Sequence, residues 1–240
     1  EHGADIVIHS TTKFLSGNGT SIGGVVIDSG KFDWLKSGKF PSLSKPAPEY
    51  HGLVFAETFG DLAYTIYGHA IGLRDLGASQ APMNAWLTLL GIETLALRME
   101  RHCANAQKVA QYLEKHPAVE WVSYAGLASS RYHSLAKRYL PKGAGSVFTF
   151  GVKGGYEAGV KLVESCELFS HLANIGDARS LIIHPASTTH RQLNDEQRVA
   201  AGAGPDVVRL SIGIESVDDI IADLDRGLGV AVPKAKRAAE

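Results

Sequence analysis

Three residues with hydroxyl side chains directly precede a lysine near the start of the chain, and these residue types could do chemistry together. The run Ser10-Thr11-Thr12-Lys13 follows a short apolar segment, Ile6 to Ile8. A lysine held near apolar surface loses part of its preference for the ammonium form, so its neutral amine can attack an aldehyde. Hydroxyls beside it can hold an anion such as phosphate. Imine formation with an aldehyde is therefore the chemistry that these residues suit.

Pyridoxal phosphate (PLP) is an aldehyde that carries its own phosphate, so it matches both features of this run. The loop that follows contains Gly17 and Gly19, which let backbone come close to a bound group. On residue chemistry alone, a lysine after a strand is more often an exposed loop residue. Both interpretations are open at this point.

The lysine motif, continued by Phe-Leu-Ser-Gly, resembles the Ser-x-Thr-Lys signature of the Cys/Met-metabolism PLP enzymes. Other stretches resemble the same family in the same order, from residue 1 to about residue 230. They are Gly30 to Trp34, Tyr50 to Phe55, Leu168 to Asn174, Ser180 to His190 and Val208 to Glu215. Several long matches in order are far more specific than one lysine motif.

The resemblance implies an α/β fold, as the C-terminal part of a fold-type I PLP transferase. Residues 1–90 would be the end of the large PLP-binding domain, and residues 91–240 a C-terminal α/β domain joined by a long helix. The chain begins Glu1-His2-Gly3 without an initiator methionine, so we expect a fragment. An upstream portion would then supply the ring stacked on PLP, the aspartate on its pyridine nitrogen and part of the phosphate cup.

Arg209 lies inside an apolar strand, where a buried guanidinium is costly unless it is paired. It could pair with an internal carboxylate or bind the anion of a ligand, and its planar fork suits a carboxylate bidentately. The family resemblance implies the second role, binding of the substrate α-carboxylate, with Ser180 lining the same pocket.

The resemblance also assigns the PLP contacts. Lys13 would be the catalytic residue that is covalently attached to PLP, and Ser10 and Thr12 would hold the phosphate. Thr11 is left out because alternate side chains of an extended chain point to opposite faces.

The implied reaction is a PLP-dependent γ-replacement in methionine biosynthesis, in which O-acetyl-L-homoserine and sulfide give homocysteine and acetate. Related family activities are the alternatives: cystathionine γ-synthesis, sulfhydrylation of O-succinylhomoserine, or γ-elimination. A non-catalytic fragment that serves as an assembly partner is an alternative of another class. The resemblance further implies a homotetramer.

Strands and helices alternate along much of the chain, which is typical of an α/β domain. Strands are predicted at 6–8, 24–27, 119–124, 146–152, 179–183 and 207–214. Helices are predicted at 82–115 with a bend near Gly91, and at 131–139, 156–167 and 217–228. Residues 28–48 are predicted as a loop, 50–76 as short helical pieces, and 233–240 as a loosely held tail.

Several polar residues are expected to have structural roles only. Glu100, Arg101 and His102 are predicted to form a solvated helix face, and His171, His184 and His190 to make structural hydrogen bonds. Glu215 would act only on the dipole of the last helix, and Ser216 with Asp219 would form an approximate capping box.

The composition excludes some classes of partner. A formal net charge of -1 with mixed signs gives no basic field, so neither nucleic acid nor an anionic membrane is expected. No apolar run reaches the length of a membrane helix, and no metal-ligand spacing occurs. Cys103 and Cys166 are expected to be reduced thiols, and the cytoplasm is the expected location.

Overall fold

A computed structural model describes residues 2–232, and the tail predicted at 233–240 lies outside this range. The described chain forms two compact units. One contains the residues up to Thr12 together with Thr20–Thr88, and the other contains Lys13–Gly19 together with the residues from Leu89 onward. The fold class is α/β, as predicted.

The first unit begins with a two-stranded antiparallel sheet. Strand β1 (Ile6–Ser10) pairs with β2 (Gly24–Asp28), and Ile8 lies opposite Val26. Both predicted strands are confirmed, but β1 is not buried: the side chain of Ile8 is 70% exposed. Within residues 2–232, β1 and β2 pair only with each other. Ile6 packs against the core of the first unit, whereas the residues of β1 from Val7 to Ser10 are exposed.

Short helices form the remainder of the first unit around a small aromatic core. They are α1 (Trp34–Ser37), α2 (Pro41–Ser44), α3 (Phe55–Phe59) and α4 (Ala63–Tyr67), with 3₁₀ turns at Pro48–Tyr50 and Gly60–Leu62 and a π-helical segment at Gly68–Asp75. The core contains Trp34, Leu43, Phe55, Ala56 and Ala63. The short helical pieces predicted at 50–76 are confirmed.

The prediction of a loop at residues 28–48 is wrong, because this range contains α1 and α2. The Asp33 carboxylate accepts a hydrogen bond from the Lys36 backbone N–H (2.9 Å) and so caps α1. Pro41 is the first residue of α2, where its missing N–H would be unpaired in any case. The prolines therefore mark a helix start here and do not exclude a helix.

Two helices replace the single bent helix predicted at 82–115. Helix α5 (Pro82–Glu93) leads from the first unit into the second, and α6 (Leu95–Lys115) follows after Thr94. Gly91 lies within α5, and a β-carbon on it would overlap the Ser16 carbonyl. Glycine is thus required at position 91 because the backbone after Lys13 passes close to it. The helix is interrupted not at Gly91 but three residues later, at Thr94.

A five-stranded sheet forms the centre of the second unit. Its strands are β3 (Val119–Ser123), β4 (Val147–Val152), β5 (Ser170–His171), β6 (Leu181–Ile183) and β7 (Val207–Ser211), in the order β3-β4-β7-β6-β5. Only β5 and β6 pair in parallel. Four of these strands were predicted within a few residues of their bounds, whereas the two-residue β5 was missed.

Helices α6, α8 (Gly155–Ser165) and α10 (Val217–Ala231) contribute apolar side chains to one core together with this sheet. Val208 and Leu210 of β7 belong to this core. Since side chains alternate along a strand, Arg209 between them points to the other face. The predicted helices at 131–139, 156–167 and 217–228 are confirmed, as α7 (His133–Tyr139), α8 and α10.

Helix capping differs from the prediction. Ser216 precedes α10 but makes no side-chain capping hydrogen bond, so the predicted capping box is absent at this helix. A capping box is present instead at the short helix α9 (Asp195–Ala200), where Asn194 and Gln197 satisfy each other's backbone N–H groups. A 3₁₀ turn at Pro185–Ser187 precedes this helix.

Asp223 is a buried carboxylate that joins α10 to the segment after α8. It accepts hydrogen bonds from the backbone N–H groups of Glu167, Leu168 and Phe169 and contacts Arg226. Burial by itself would raise the pKa of Asp223, but these hydrogen bonds outweigh it and hold the pKa below its ordinary value. Asp223 therefore stabilises the unit as a carboxylate.

We expect Asp223→Asn to lower the free energy of unfolding by about 2 kcal/mol at neutral pH, because one buried carboxylate serves several donors. The folded-state pKa of Asp223 lies below the unfolded value. Its contribution is therefore complete above the unfolded value and is lost as pH falls through the folded one. Denaturant unfolding at several pH values measures both effects. Asp219→Asn, an exposed change on α10, is the control and should cost under about 1 kcal/mol.

Candidate functional site

Lys13 lies in the second unit, in backbone that is not helical (φ -95°, ψ -131°). Its side-chain amine donates a hydrogen bond to Oδ1 of Asn174. Among the described residues no carboxylate forms an ion pair with this amine. The amine is thus held by a neutral acceptor and is not an exposed loop lysine.

Arg209 lies close to the same residue. One of its guanidinium nitrogens, Nη2, donates to the backbone carbonyl of Asn174 at 3.4 Å. Burial lowers the pKa of Arg209, and within residues 2–232 it forms no ion pair with a carboxylate. The internal ion pair considered for Arg209 is therefore not formed by the described residues.

Asn174 thus contacts both predicted site residues of this unit, although it is 161 residues from Lys13 and 35 from Arg209 in sequence. The sequence prediction missed it as a site residue. It lies in an irregular segment after β5, where a single Asn gives no periodic signal. Only its place within a stretch that resembles the PLP family could have drawn attention to it.

The segment that carries Asn174 is fixed against the chain after Lys13. Gly176 has a left-handed backbone (φ +73°), and a β-carbon on it would lie 2.7 Å from the Phe14 nitrogen. Its N–H donates to the Ser211 hydroxyl (2.9 Å). The Ala178 N–H donates to the Gly17 carbonyl (2.8 Å). Only glycine fits at 176, because the two segments touch there.

Arg98 of α6 is a buried cation that holds the backbone after Lys13. Its guanidinium donates to the carbonyls of Phe14 (2.9 Å), Leu15 (3.3 Å) and Gly91 (2.7 Å). Burial lowers the pKa of Arg98, and within the described part of the chain no carboxylate pairs with it. Backbone carbonyls take the place of a counter-ion.

His102, one turn further along α6, is fully buried, so the prediction of a solvated face is wrong for it. Its Nδ1 lies 2.6 Å from the Ile212 carbonyl, and its ring meets the Phe14 ring edge to face. Burial lowers the pKa of His102. The ring is therefore neutral, with its proton on Nδ1, from which it donates a hydrogen bond to the Ile212 carbonyl.

Ser180 is buried beside Glu215. Its hydroxyl donates to Glu215 (2.9 Å) and accepts from the Gly213 N–H (2.9 Å), and its own N–H also donates to Glu215 (2.6 Å). Glu215 therefore does more than act on a helix dipole, and that prediction is wrong. The hydroxyl proton of Ser180 is already used, which leaves no donor on this side chain for a substrate carboxylate.

The predicted phosphate residues lie in the first unit. Ser10 is exposed, and the Thr12 hydroxyl exchanges hydrogen bonds with the N–H (3.1 Å) and carbonyl (3.4 Å) of Gly23. The Thr11 hydroxyl is buried and has no hydrogen-bond partner among the described residues. Thr11 is left out of the predicted site because side chains alternate along an extended chain. Strand β1 ends at Ser10, so this alternation does not extend to Thr11.

The remaining histidines follow the structural expectation where the structure tests it. His184 is buried and contacts the Ser187 hydroxyl (2.9 Å) and the Pro205 carbonyl (2.8 Å), and His190 contacts the Thr189 hydroxyl. Within residues 2–232, no cluster of three or more His, Cys, Asp or Glu side chains could hold a metal ion. No helix in that range is long and apolar enough to cross a bilayer.

Comparison with known proteins gives a family match over nearly the whole chain. Residues 1–229 match the family described as Cys/Met metabolism PLP-dependent enzyme. The homocysteine synthase of Schizosaccharomyces pombe is 55% identical over 232 residues, which cover 96% of this chain and 54% of that protein. The O-acetyl-L-homoserine sulfhydrylase of Leptospira meyeri is 52% identical over 95% of this chain and 53% of its own length.

A solved structure gives the same result for the fold. A Campylobacter jejuni protein described as an O-acetylhomoserine (thiol)-lyase, carrying a pyridoxyl-lysine monophosphate, matches with a TM-score of 0.87 and 43% identity. The match covers 95% of this chain and 54% of that chain. The present chain therefore spans about half the length of the relatives that it matches.

We expect Arg98→Met to lower the free energy of unfolding by about 3 kcal/mol, because three carbonyls lose a charged donor in a buried place. Arg98→Lys should recover only part of this, since one ammonium cannot reproduce the fork of a guanidinium. Denaturant unfolding measures both variants. Arg101→Met, an exposed change on the same helix, is the control. A loss for Arg98→Met no larger than that of the control would contradict the role of Arg98.

Proposed function

Because this chain belongs to the Cys/Met metabolism PLP-dependent enzyme family, we propose that it is the lysine-bearing part of a PLP-dependent transferase. The proposed reaction is γ-replacement, in which O-acetyl-L-homoserine and sulfide give homocysteine and acetate. The single observation that carries the proposal is the convergence of the Lys13 amine and the Arg209 guanidinium on Asn174. An amine for an aldehyde and a fork for a carboxylate are the groups that an amino-acid transferase needs.

The residues present fit PLP and an amino acid by the chemistry of their donors. Among the described residues, Lys13 has no carboxylate ion-pair partner, and Arg209 has none that would block a substrate carboxylate. Ser10 and Thr12 are the proposed phosphate ligands, as the family resemblance implies. The buried Thr11 hydroxyl is a further donor without a partner in residues 2–232.

PLP, when bound, supplies an aldehyde for covalent attachment and a ring that accepts negative charge. Arg209 holds the α-carboxylate and so sets the orientation of the substrate Cα–H bond. Lys13, once its amine is free, takes the proton from Cα and then moves protons at Cβ, so that acetate can leave from Cγ. Sulfide adds at Cγ, and Lys13 then returns one proton to Cβ and one to Cα.

Ser180 is proposed to line the carboxylate pocket, as the family resemblance implies. The hydroxyl and the backbone N–H of Ser180 both donate to Glu215. The proposed contribution of Ser180 is therefore to hold the side chain of Glu215 in place.

The proposed partners are the rest of the same enzyme and further copies of it. Exposed apolar side chains on α5, which include Met83, Trp86 and Leu89, support a covered face at this helix. Exposed apolar residues on both strands of the β1-β2 sheet support a further polypeptide there. The proposed tetramer rests on the family resemblance. A cytoplasmic location is also proposed, and the free thiols of Cys103 and Cys166 suit a reducing compartment.

Borohydride reduction of the full-length protein loaded with PLP tests the role of Lys13. Peptide mapping should find the pyridoxyl group on Lys13, and Lys13→Ala should carry none and should lose activity by at least about a thousandfold. Protein that stays colourless and unlabelled with the whole enzyme present would favour a non-catalytic assembly partner.

Arg209→Ala should raise KM for amino-acid substrates at least about tenfold while PLP stays bound, because it removes a bidentate contact to the carboxylate. Arg209→Lys is the matched variant and should recover only part of the loss. Equal loss of PLP and of substrate binding would mean that the assignment is wrong. Steady-state rates with acetyl and succinyl esters, and with sulfide or cysteine, separate the proposed reaction from those of related family members.

A further inference from the structure

His102 is a fully buried imidazole on α6 that the proposed reaction does not use. Its Nδ1 donates to the carbonyl of Ile212, the residue directly after β7, at 2.6 Å. Its ring meets the ring of Phe14, the residue after Lys13, with the ring centroids 5.5 Å apart. We propose that His102 is a positioning residue that fixes the lysine segment relative to the end of β7. This role rests on the proposed function, which assigns Lys13 to PLP and Arg209 of β7 to the substrate.

Three buried polar residues, Arg98, His102 and Asn105, lie on one face of α6. They share this face because residues three and four positions apart are neighbours on a helix. The Arg98 guanidinium donates to the Phe14 carbonyl at 2.9 Å. The Asn105 amide donates to the Gly213 carbonyl at 3.1 Å. His102, between them on the helix, contacts both the lysine segment and the chain after β7.

The two contacts of the His102 ring hold both segments to one rigid group. The hydrogen bond fixes the distance and direction from Nδ1 to the Ile212 carbonyl, and the Ile212 N–H donates to the Ser146 carbonyl beside β4 (2.9 Å). The contact with Phe14 is edge to face, with an interplanar angle of 89°, which is a favoured arrangement for two aromatic rings. A fully buried ring cannot turn without displacing its neighbours, because protein interiors are close-packed. A shift of either segment therefore breaks a contact of the same ring.

The separation of these segments matters for the proposed proton transfers. Arg209 holds the substrate by its carboxylate, and Lys13 takes the proton from Cα. A base must lie within hydrogen-bond reach of the proton that it takes, so the spacing of the two residues sets the rate of this step. A misplacement of about 1 Å can lower a rate about a hundredfold. His102 acts on this spacing through the backbone and through a neighbouring ring, and so contributes position and not chemistry.

The test uses two variants of the full-length enzyme, each of which keeps one of the two contacts. His102→Asn keeps an N–H donor close to the position of Nδ1 but loses the ring contact with Phe14. His102→Phe keeps a ring but loses the donor to Ile212. We expect each variant to lower kcat at least about fivefold, with PLP still bound and KM within about twofold, because alignment acts on the proton-transfer step.

Amide hydrogen exchange gives a second readout that does not depend on turnover. It is measured on the full-length enzyme without substrate, for residues 13–19 and for residues 207–213. His102→Asn should raise exchange mainly in the first segment, because that segment loses its ring contact. His102→Phe should raise exchange mainly in the second segment, because the Ile212 carbonyl loses its donor.

Val109→Ala is the matched control, because Val109 is also fully buried on α6 but lies in the hydrophobic core. It should lower the midpoint of denaturant unfolding, as the His102 variants do, and leave kcat within about twofold of the parent. Should one His102 variant not fold, the other decides by the same limits.

Two results would overturn the proposal. One is a kcat for the His102 variants that falls no further than that of Val109→Ala. The other is exchange that rises equally in both segments in each variant, since a general loss of stability would give that pattern. If borohydride mapping of the parent leaves Lys13 unlabelled, the proposed function itself fails, whereas the exchange pattern still decides whether His102 fixes the two segments.

Discussion

The backbone that follows Lys13 is held by a buried cation, and the arrangement of the site depends on that contact. Arg98 binds the carbonyls of Phe14 and Leu15 from a helix that begins at Leu95, far along the chain. Carbonyl oxygens have no net charge, so they solvate the guanidinium without neutralising it. The loop is thereby fixed while the second unit keeps a positive charge close to the lysine segment.

The cations of the site differ in their partners from two other arginines of the unit. Arg226 pairs with Asp223, and Arg179 pairs with Asp177, which lies three residues after Asn174. Lys13, Arg98 and Arg209 form no such pair among the described residues. The charge of Arg209, which is partly buried and has no counter-ion among the described residues, is costly, and an anionic ligand would offset that cost. The carboxylate of an amino acid and the phosphate of PLP are anions of this kind.

Neutral polar groups complete the site. His102 is kept uncharged by burial and donates its one proton to the Ile212 carbonyl. The amide of Asn174 adds no charge beside the amine. Glu215, which follows β7, accepts hydrogen bonds from the N–H and hydroxyl of Ser180. Among the described residues it forms no ion pair with Arg209.

The sequence by itself indicated most of the longer helices and strands and drew attention to Lys13 and Arg209. Apolar periodicity identified α6, α8, α10 and most strands, and a lone Arg in an apolar strand marked position 209 as a group that needs a partner. Only the tertiary structure decided what those residues meet. Asn174, Arg98 and His102 reach the lysine loop across long sequence separations, and a hydrogen bond to a distant backbone carbonyl leaves no periodic trace in the residues that make it. Short helices such as α1 and α2 depend likewise on local caps and aromatic contacts, which a pattern of prolines does not reveal.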